Sequence, residues 1–201
     1  MNRRMFCLSG VAATISSAAA GLACSPAAAR TAPMTAASGP RIRLYKFIYD
    51  SRFQAARAFA IAAERAPSTA GTAAIAGDVT SLWSRDLLPR WSAGAGAIAG
   101  MTTARTLFCL EQLAKDHWMR VVVLAEHAMP HGRDIVHRLT APGPMMYQIG
   151  PALAEQDWPT RMPAALAACR DADGAPMTCL IGSSGRDFGV TGEKLVSFVI
   201  S

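Results

Sequence analysis

Between Arg41 and His127 the sequence alternates β-strand patterns with helix patterns, and this alternation limits the folds available to the chain. Each apolar run of strand length is followed by a segment whose apolar residues recur at helical spacing. The strand–helix pair occurs three times and ends in a fourth strand. Such a pattern is typical of an α/β fold, in which right-handed crossovers place helices on both faces of a sheet.

The individual segments predict a three-layer, mostly parallel sheet with flanking helices. Strands are predicted at residues 41–50, 72–78, 97–100 and 119–127, and helices at 51–66, 79–89 and 103–118. After residue 127 the pattern is less regular, with a strand at 133–142 and partly helical residues at 151–170. Two final strands, at 177–182 and 194–201, are expected to form an antiparallel pair at the edge of the sheet.

Small, polar or ionisable residues stand at the ends of all four early strands. The candidates for binding a small anionic ligand are Asp50, Arg52, Thr102, Thr103 and Arg105, and the candidate general bases are Asp78 and His127. Ligands of open α/β sheets bind outside the carboxyl ends of the strands, so these side chains are expected to converge on one edge. The long helix that begins there would offer backbone N–H groups to an anion.

Each candidate also has a purely structural interpretation, which the sequence leaves open. Asp50 and Asp78 are placed to cap the helices that follow them. Thr102 or Thr103 is placed to cap the long helix in the same way. His127 fits equally well as a hydrogen-bonded histidine at the end of a strand.

Motifs for cofactors and metals are missing from the sequence, and we expect neither to be bound. The glycines of residues 94–100 precede a strand, whereas a dinucleotide-binding fingerprint follows one and opens a helix. The stretch GSSG at 182–185 is one residue short of a nucleophile elbow. His127, His131 and His137 do not have the spacing of a helical zinc-binding pair, and no Cys-x-x-Cys is present.

The first 29 residues have the composition of an export signal rather than of a folded domain. Arg3 and Arg4 form a basic start that resembles a twin-arginine signal, and a weakly apolar run leads to a small-residue cleavage site at 27–29. We therefore expect a periplasmic location. The alternative is a membrane-anchored lipoprotein attached through Cys24.

The remaining chain divides into a short linker and one domain. Residues 30–40 are small and flanked by proline, and we expect them to be a disordered linker. Residues 41–201 are expected to form a single α/β domain. With 51% hydrophobic and 17% charged residues the composition is that of a globular protein, and no transmembrane segment is expected in the mature chain.

The positive charge of the chain is modest and scattered. The formal net charge is +6, and removal of residues 1–29 takes away two arginines and no acidic residue, which leaves +4. Nucleic-acid binding requires basic residues clustered on one face or in runs. We therefore expect no nucleic-acid partner.

Three cysteines remain after the signal, so at least one thiol is unpaired within a monomer. Cys169 and Cys179 flank a turn-like segment, and an oxidising periplasm could join them in a disulfide. Cys109 lies in an apolar helical pattern and is expected to be a small buried hydrophobic residue.

Two segments, 77–91 and 97–127, resemble a group of uncharacterised secreted proteins of Gram-negative bacteria that carry twin-arginine signals. The sequences are GDVTSLWSRDLLPRW and AIAGMTTARTLFCLEQLAKDHWMRVVVLAEH. The resemblance implies export and an α/β domain. It implies no particular activity and assigns no catalytic residue.

These observations favour an exported periplasmic α/β protein that acts as an accessory or small-ligand-binding component of a periplasmic redox system. The partners expected are a periplasmic oxidoreductase or a small anionic ligand, because twin-arginine export is used mainly by redox proteins and their companions. The alternative is a small enzyme whose active site lies at the carboxyl ends of the strands, with aspartate, threonine and histidine side chains.

Overall fold

A computed structural model describes residues 39–66, 70–94, 96–131, 134–172, 174–184 and 193–201, apart from the side chains of 129–131 and 184. The predicted signal at 1–29, the lipidation alternative at Cys24 and most of the predicted linker at 30–40 lie outside these residues. Gly39 and Pro40, at the end of that linker, accept hydrogen bonds from the side chain of Arg170 and the backbone of Asp171.

Seven strands and six α-helices occupy the described residues. The strands are β1 (Leu44–Asp50), β2 (Gly71–Ile75), β3 (Ala97–Thr103), β4 (Val121–His131), β5 (Asp134–Pro142), β6 (Pro176–Ser184) and β7 (Leu195–Ile200). The helices are α1 (Gln54–Arg65), α2 (Thr80–Leu82), α3 (Leu88–Ser92), α4 (Ala104–Lys115), α5 (Gly143–Ala154) and α6 (Trp158–Ala167), and a π-helical turn (Trp83–Leu87) joins α2 to α3.

The strands form one open sheet in the order β2-β1-β3-β7-β4-β5-β6. β1 pairs in parallel with β2 and β3, whereas the other four pairings are antiparallel. The α/β class is therefore confirmed, but the prediction of a mostly parallel sheet is wrong. The antiparallel pairings come from the strands after β4: β5 is antiparallel to β4, β6 is antiparallel to β5, and β7 inserts antiparallel between β3 and β4.

The last strand, β7, lies at the centre of the sheet between β3 and β4. The prediction that it forms an antiparallel edge pair with β6 is wrong, because β6 pairs with β5 at the far end. All six residues of β7 are buried, including Ser197. A short, almost wholly apolar strand suits a position covered on both faces, which an edge does not provide.

Helices cover both faces of the sheet. On one face α1, α5 and α6 enclose a core that includes Phe47, Phe59 and Trp158. On the other face the helical segment 80–92 and α4 enclose a second core around Leu110 and Phe198. The sheet thus forms the middle of three layers, and the described part of residues 35–201 belongs to one compact unit.

Two details of the helices differ from expectation. Phe53 occupies the N-cap of α1, and the carboxylate of Asp50 does not cap this helix. Cys109 is exposed on α4, not buried, because Leu107 and Leu110 form the inward face of the helix.

Among the helices that the structure describes, none combines the length and the apolar character needed to cross a bilayer.

Candidate functional site

The carboxyl ends of four strands share one edge of the sheet. β1, β2 and β3 are mutually parallel, and β4 has the direction of β3 because both are antiparallel to β7. This edge therefore carries the residues that follow β1, β2 and β3, the second half of β4 and the start of β7. The insertion of β7 brings Glu193 and Lys194 to the same edge.

An ion pair between the buried Asp50 and the exposed Arg52 closes the end of β1. The carboxylate of Asp50 is fully buried and accepts hydrogen bonds from Nε of Arg52 at 2.9 Å, from its Nη2 at 2.7 Å and from its backbone N–H at 3.1 Å. These hydrogen bonds with Asp50 raise the pKa of Arg52. The same Nη2 lies 3.6 Å from the carboxylate of Glu193, which links the end of β1 to the start of β7.

Gly77, just after β2, leaves room for this arginine. Its φ is +86°, in the region that favours glycine, and a Cβ atom there would lie 2.9 Å from Nη2 of Arg52. The backbone conformation therefore favours glycine, and a Cβ atom would also displace the end of the Arg52 side chain.

A cleft of about 250 Å³ opens at the start of α4. Its lining residues are Thr103, Ala104, Arg105, Glu193 and Lys194. We call it the α4 cleft. Arg105, Glu193 and Lys194 are exposed, so two cations and one carboxylate face solvent around the first turn of a helix.

Backbone and side-chain bonds fix the first turn of α4. Oγ1 of Thr103 accepts a hydrogen bond from the backbone N–H of Thr106 at 3.3 Å, as an N-cap residue does. The backbone N–H of Ala104 donates to the carbonyl oxygen of Lys194 at 2.9 Å, which ties the helix to the start of β7. Thr103, rather than Thr102, is thus the cap.

Of the predicted site residues, Thr103 and Arg105 line this cleft, and the other five, Asp50, Arg52, Asp78, Thr102 and His127, lie outside it. Thr102 is fully buried, and its hydroxyl donates to the carbonyl oxygen of Thr103 at 3.3 Å. Asp78 is exposed and accepts hydrogen bonds from the backbone N–H of Thr80 at 2.8 Å and from its hydroxyl at 2.7 Å. These bonds lower the pKa of Asp78, which forms a turn before α2.

His127 belongs to a different arrangement, a buried row of four polar side chains across four adjacent strands. Nδ1 of His127 lies 2.8 Å from Nδ1 of His137, its neighbour across the β4–β5 pairing. Nε2 of His127 bonds to the hydroxyl of Ser197 on β7 at 2.9 Å, and Nε2 of His137 bonds to that of Ser183 on β6 at 3.0 Å. We call these four residues the histidine ladder.

The histidine ladder is neutral and shielded from solvent. The indole ring of Trp158 covers both imidazoles, with centroids 4.1 Å from His127 and 4.9 Å from His137. Burial lowers the pKa of His127 well below its usual value, and the neighbouring ring lowers it further. Burial lowers the pKa of His137 to about 4. Both rings therefore lack a charge at neutral pH.

The two candidate general bases, Asp78 and His127, do not share a site. Asp78 follows β2 and His127 lies on β4, four strands away in the sheet order. At about 4.8 Å between neighbouring strands this separation is roughly 19 Å, too far for both to act on one small ligand. Asp50, Arg52, Thr103 and Arg105, by contrast, lie on or beside the adjacent strands β1 and β3.

Sequence reasoning missed the residues that β5, β6 and β7 contribute. Glu193 and Lys194 were not predicted, because no feature of the sequence around them indicates that β7 inserts beside β3. His137 could have been found, since residues 127 and 137 are equidistant from Gly132 and would face each other in a hairpin turning there. Trp158 and the two serines of the histidine ladder carry no signal of their own.

The cysteines and the metal-ligating side chains of the described residues are further candidates for a site. Cys109, Cys169 and Cys179 are free thiols in the structure. The disulfide considered between Cys169 and Cys179 stays a prediction. Burial raises the pKa of Cys169 to about 12, which keeps this thiol protonated and unreactive. Within the described residues, no three histidine, cysteine, aspartate or glutamate side chains come together as metal ligands would.

Comparison with protein-family models, with curated proteins and with solved structures finds no match to this chain.

Proposed function

We propose that the protein is an exported periplasmic binding component that holds a small anion in the α4 cleft. The observation that carries this proposal is the meeting of Arg105 and Lys194 with the first turn of a 12-residue helix. Aligned peptide dipoles give a helix N-terminus the equivalent of about half a positive charge, which favours anions there. The Asp50–Arg52 ion pair lies at the same edge of the sheet and contacts the cleft through Glu193, whose carboxylate lies near the guanidinium of Arg52.

The carboxylate of Glu193 restricts which anions can bind in the α4 cleft. It repels an anion that carries no hydrogen, but it accepts a hydrogen bond from an anion with an O–H or N–H group. Hydrogen phosphate and small hydroxy acids have this combination. We therefore propose a small anion that also carries a hydrogen-bond donor as the ligand.

Thermal unfolding of the purified protein in phosphate and in sulfate, at constant ionic strength, tests this function. A ligand that binds the folded chain raises the unfolding temperature in a saturable way. We expect a larger rise with phosphate, which has a hydrogen to donate to Glu193, than with sulfate. Arg105→Gln should abolish most of the rise.

The matched control is Arg120→Gln, which removes the same charge from an exposed arginine before β4, at the opposite edge of the sheet. It should leave the phosphate response unchanged. Glu193→Gln should reduce the difference between phosphate and sulfate. The proposal fails if phosphate gives no saturable rise, or if Arg105→Gln and Arg120→Gln respond alike.

The proposed partner is a periplasmic oxidoreductase, beside which this chain acts as an accessory component. This proposal rests on the twin-arginine-like start at Arg3 and Arg4 together with the lack of a cofactor motif in the sequence. Affinity capture from periplasm under native conditions tests it. Recovery of an oxidoreductase in stoichiometric amount is expected, and recovery of the chain as an isolated monomer would contradict the idea.

The proposed location has its own test. Replacement of Arg3 and Arg4 by lysine should keep the precursor in the cytoplasm if the twin-arginine route carries it. Cys24→Ser should leave export and release into the periplasm unchanged. If that variant alone detaches the protein from membranes, the lipoprotein alternative is correct instead.

A further inference from the structure

The end of the sheet farthest from β2 is built from one strand and one helix. β6 is the terminal strand and pairs with β5 along one side. α5 lies along β6, since a Cβ atom on Gly143 would be 3.8 Å from Sδ of Met177, and one on Gly150 would be 3.6 Å from Cδ1 of Ile181. The outer side of β6 pairs with no other strand among those described.

Neither of these two elements carries a charge. α5 has the sequence GPMMYQIGPALA and β6 has the sequence PMTCLIGSS, although charged residues make up 17% of the chain. A surface helix normally has a charged or polar face towards water, and terminal strands normally carry lysine or other charged residues that prevent pairing with another chain. Both protections are missing here.

Three large hydrophobic side chains are exposed on these elements. Leu180 on β6 is 68% exposed, Met177 on β6 is 59% exposed and Tyr147 on α5 is 61% exposed. We call them, with the outer side of β6, the apolar edge. The other terminal strand, β2, differs because it has only five residues, mostly small, and Thr72 on it is held by Glu64 at 3.1 Å.

We propose that the apolar edge binds the apolar edge of a second copy of this chain, with β6 and its counterpart pairing antiparallel around a two-fold axis at Leu180. Residue 180 is the middle of the nine residues of β6, so this register lets the whole strand pair with itself. The pairing joins two seven-stranded sheets into one. Tyr147 and Met177 of each copy then lie beside the junction.

The lack of charge on β6 suits pairing with a second copy of the same strand. A two-fold axis brings each residue near its own counterpart or a symmetric position, so a strand with charges would oppose like charges. β6 avoids this because it has none. In the proposed register, Thr178 of one copy faces Gly182 of the other, and small residues therefore flank the central leucine pair.

The association state of the purified protein tests this proposal. Sedimentation equilibrium between about 1 and 100 μM, the range in which dissociation constants of moderate interfaces fall, should show a dimer. Leu180→Lys should weaken the dimer at least tenfold, because it places two lysines at the axis. Since Leu180 is exposed, this change does not disturb the core.

Phe108→Lys is the matched control. Phe108 is 61% exposed but lies on α4, away from the apolar edge, so its replacement should leave the dimer intact. A protein that is monomeric throughout the concentration range overturns the proposal. The proposal is also overturned if the Leu180→Lys protein dimerises as strongly as the Phe108→Lys protein. A different surface, or a different partner strand, would then be responsible for the dimer.

Cysteine crosslinking tests the register. In a background of Cys109→Ser and Cys179→Ser, Leu180→Cys should form an intermolecular disulfide on mild oxidation, because directly opposite Cβ atoms lie about 5 Å apart. Thr178→Cys should not, since its counterpart is about 13 Å away along the strand, beyond the reach of a disulfide. Equal crosslinking at both positions, or none at residue 180, overturns the pairing.

Discussion

The Nδ1 atoms of His127 and His137 face each other at 2.8 Å, and each ring meets a serine hydroxyl through its Nε2 atom. A hydrogen bond between two Nδ1 atoms requires one N–H and one lone pair. Two neutral rings therefore hold opposite tautomers, one protonated on Nδ1 and the other on Nε2. One serine then donates its hydroxyl hydrogen to a ring, and the other accepts from a ring.

Nuclear magnetic resonance of the ring nitrogens should detect this asymmetry. At pH 7.5 we expect one histidine of the ladder to be an Nδ1–H tautomer and the other an Nε2–H tautomer, because no other arrangement satisfies all four ring nitrogens. Two identical tautomers would contradict the histidine ladder. His117, which packs against Trp83 and Trp91 and not against the ladder, serves as the internal reference.

Acid should destabilise the fold through these histidines. The pKa of His127 is lowered well below its usual value and that of His137 to about 4, whereas an unfolded histidine titrates near 6.5. As pH falls below 6.5 the unfolded chain takes up protons that the folded chain resists, so the free energy of unfolding falls. His137 alone should account for about 3 kcal/mol between pH 6.5 and 4, at roughly 1.4 kcal/mol per unit.

Urea unfolding measured from pH 8 to 5 checks this dependence above the range in which most carboxylates titrate. Stability should be constant above pH 7 and should decline below 6.5. His117→Gln should keep the decline, and His137→Gln should reduce its slope. A free energy of unfolding that does not change between pH 7 and 5 would show that the rings are protonated as easily in the folded state as in the unfolded one.

Removal of a single hydroxyl from the histidine ladder should be costly. Ser197→Ala leaves Nε2 of His127 without its partner in a fully buried position, and the expected loss is about 1–3 kcal/mol. Ser84→Ala makes the same chemical change on an exposed residue and should alter stability by less than about 0.5 kcal/mol. Chemical denaturation at pH 7.5 measures both, and equal effects would mean that water replaces the missing hydroxyl.

Local patterns predicted the elements of this fold better than their arrangement. The apolar periodicity of α4 and the β-branched run of β4 identified both elements, because burial acts directly on residues near in sequence. The position of β7 was not predicted, since it depends on pairing with β3 and β4, which lie about 70 to 100 residues earlier. The local feature that corresponds to the central position of β7 is its almost wholly apolar sequence, all of which is buried.

The candidate site was predictable only in part for the same reason. Asp50, Arg52, Thr103 and Arg105 were identified because each follows a strand whose direction could be inferred. Glu193 and Lys194 reach the α4 cleft only through the insertion of β7. His127 was identified as polar at a strand end, but the same hydrogen-bonding capacity is used inside the sheet, where a second histidine happens to face it.

Gly77→Ala should weaken the ion pair at the end of β1. The new Cβ atom would lie 2.9 Å from Nη2 of Arg52 and would force the guanidinium away from Asp50, in addition to straining a backbone with φ of +86°. We expect a loss of about 1–3 kcal/mol in unfolding free energy.

A double-mutant cycle separates these two causes. In an Arg52→Ala background the guanidinium is absent, so Gly77→Ala should cost only the backbone strain and its effect should be smaller. If the loss is the same in both backgrounds, the side chain of Arg52 does not depend on the space at Gly77.

Trp118→Gly is expected to stabilise the protein. Trp118 has φ of 60° and is 98% exposed, and the bonds from its N–H to the carbonyl of Lys115 and from Met119 to Ala114 make it the left-handed residue of a Schellman motif. Glycine usually occupies this position because other residues are strained there, so the gain should be about 0.5–1 kcal/mol. Trp118→Ala removes the same indole but keeps a Cβ atom, and thermal unfolding should show no comparable gain. If alanine and glycine raise stability equally, the exposed indole, rather than the backbone conformation, is what destabilises the folded state.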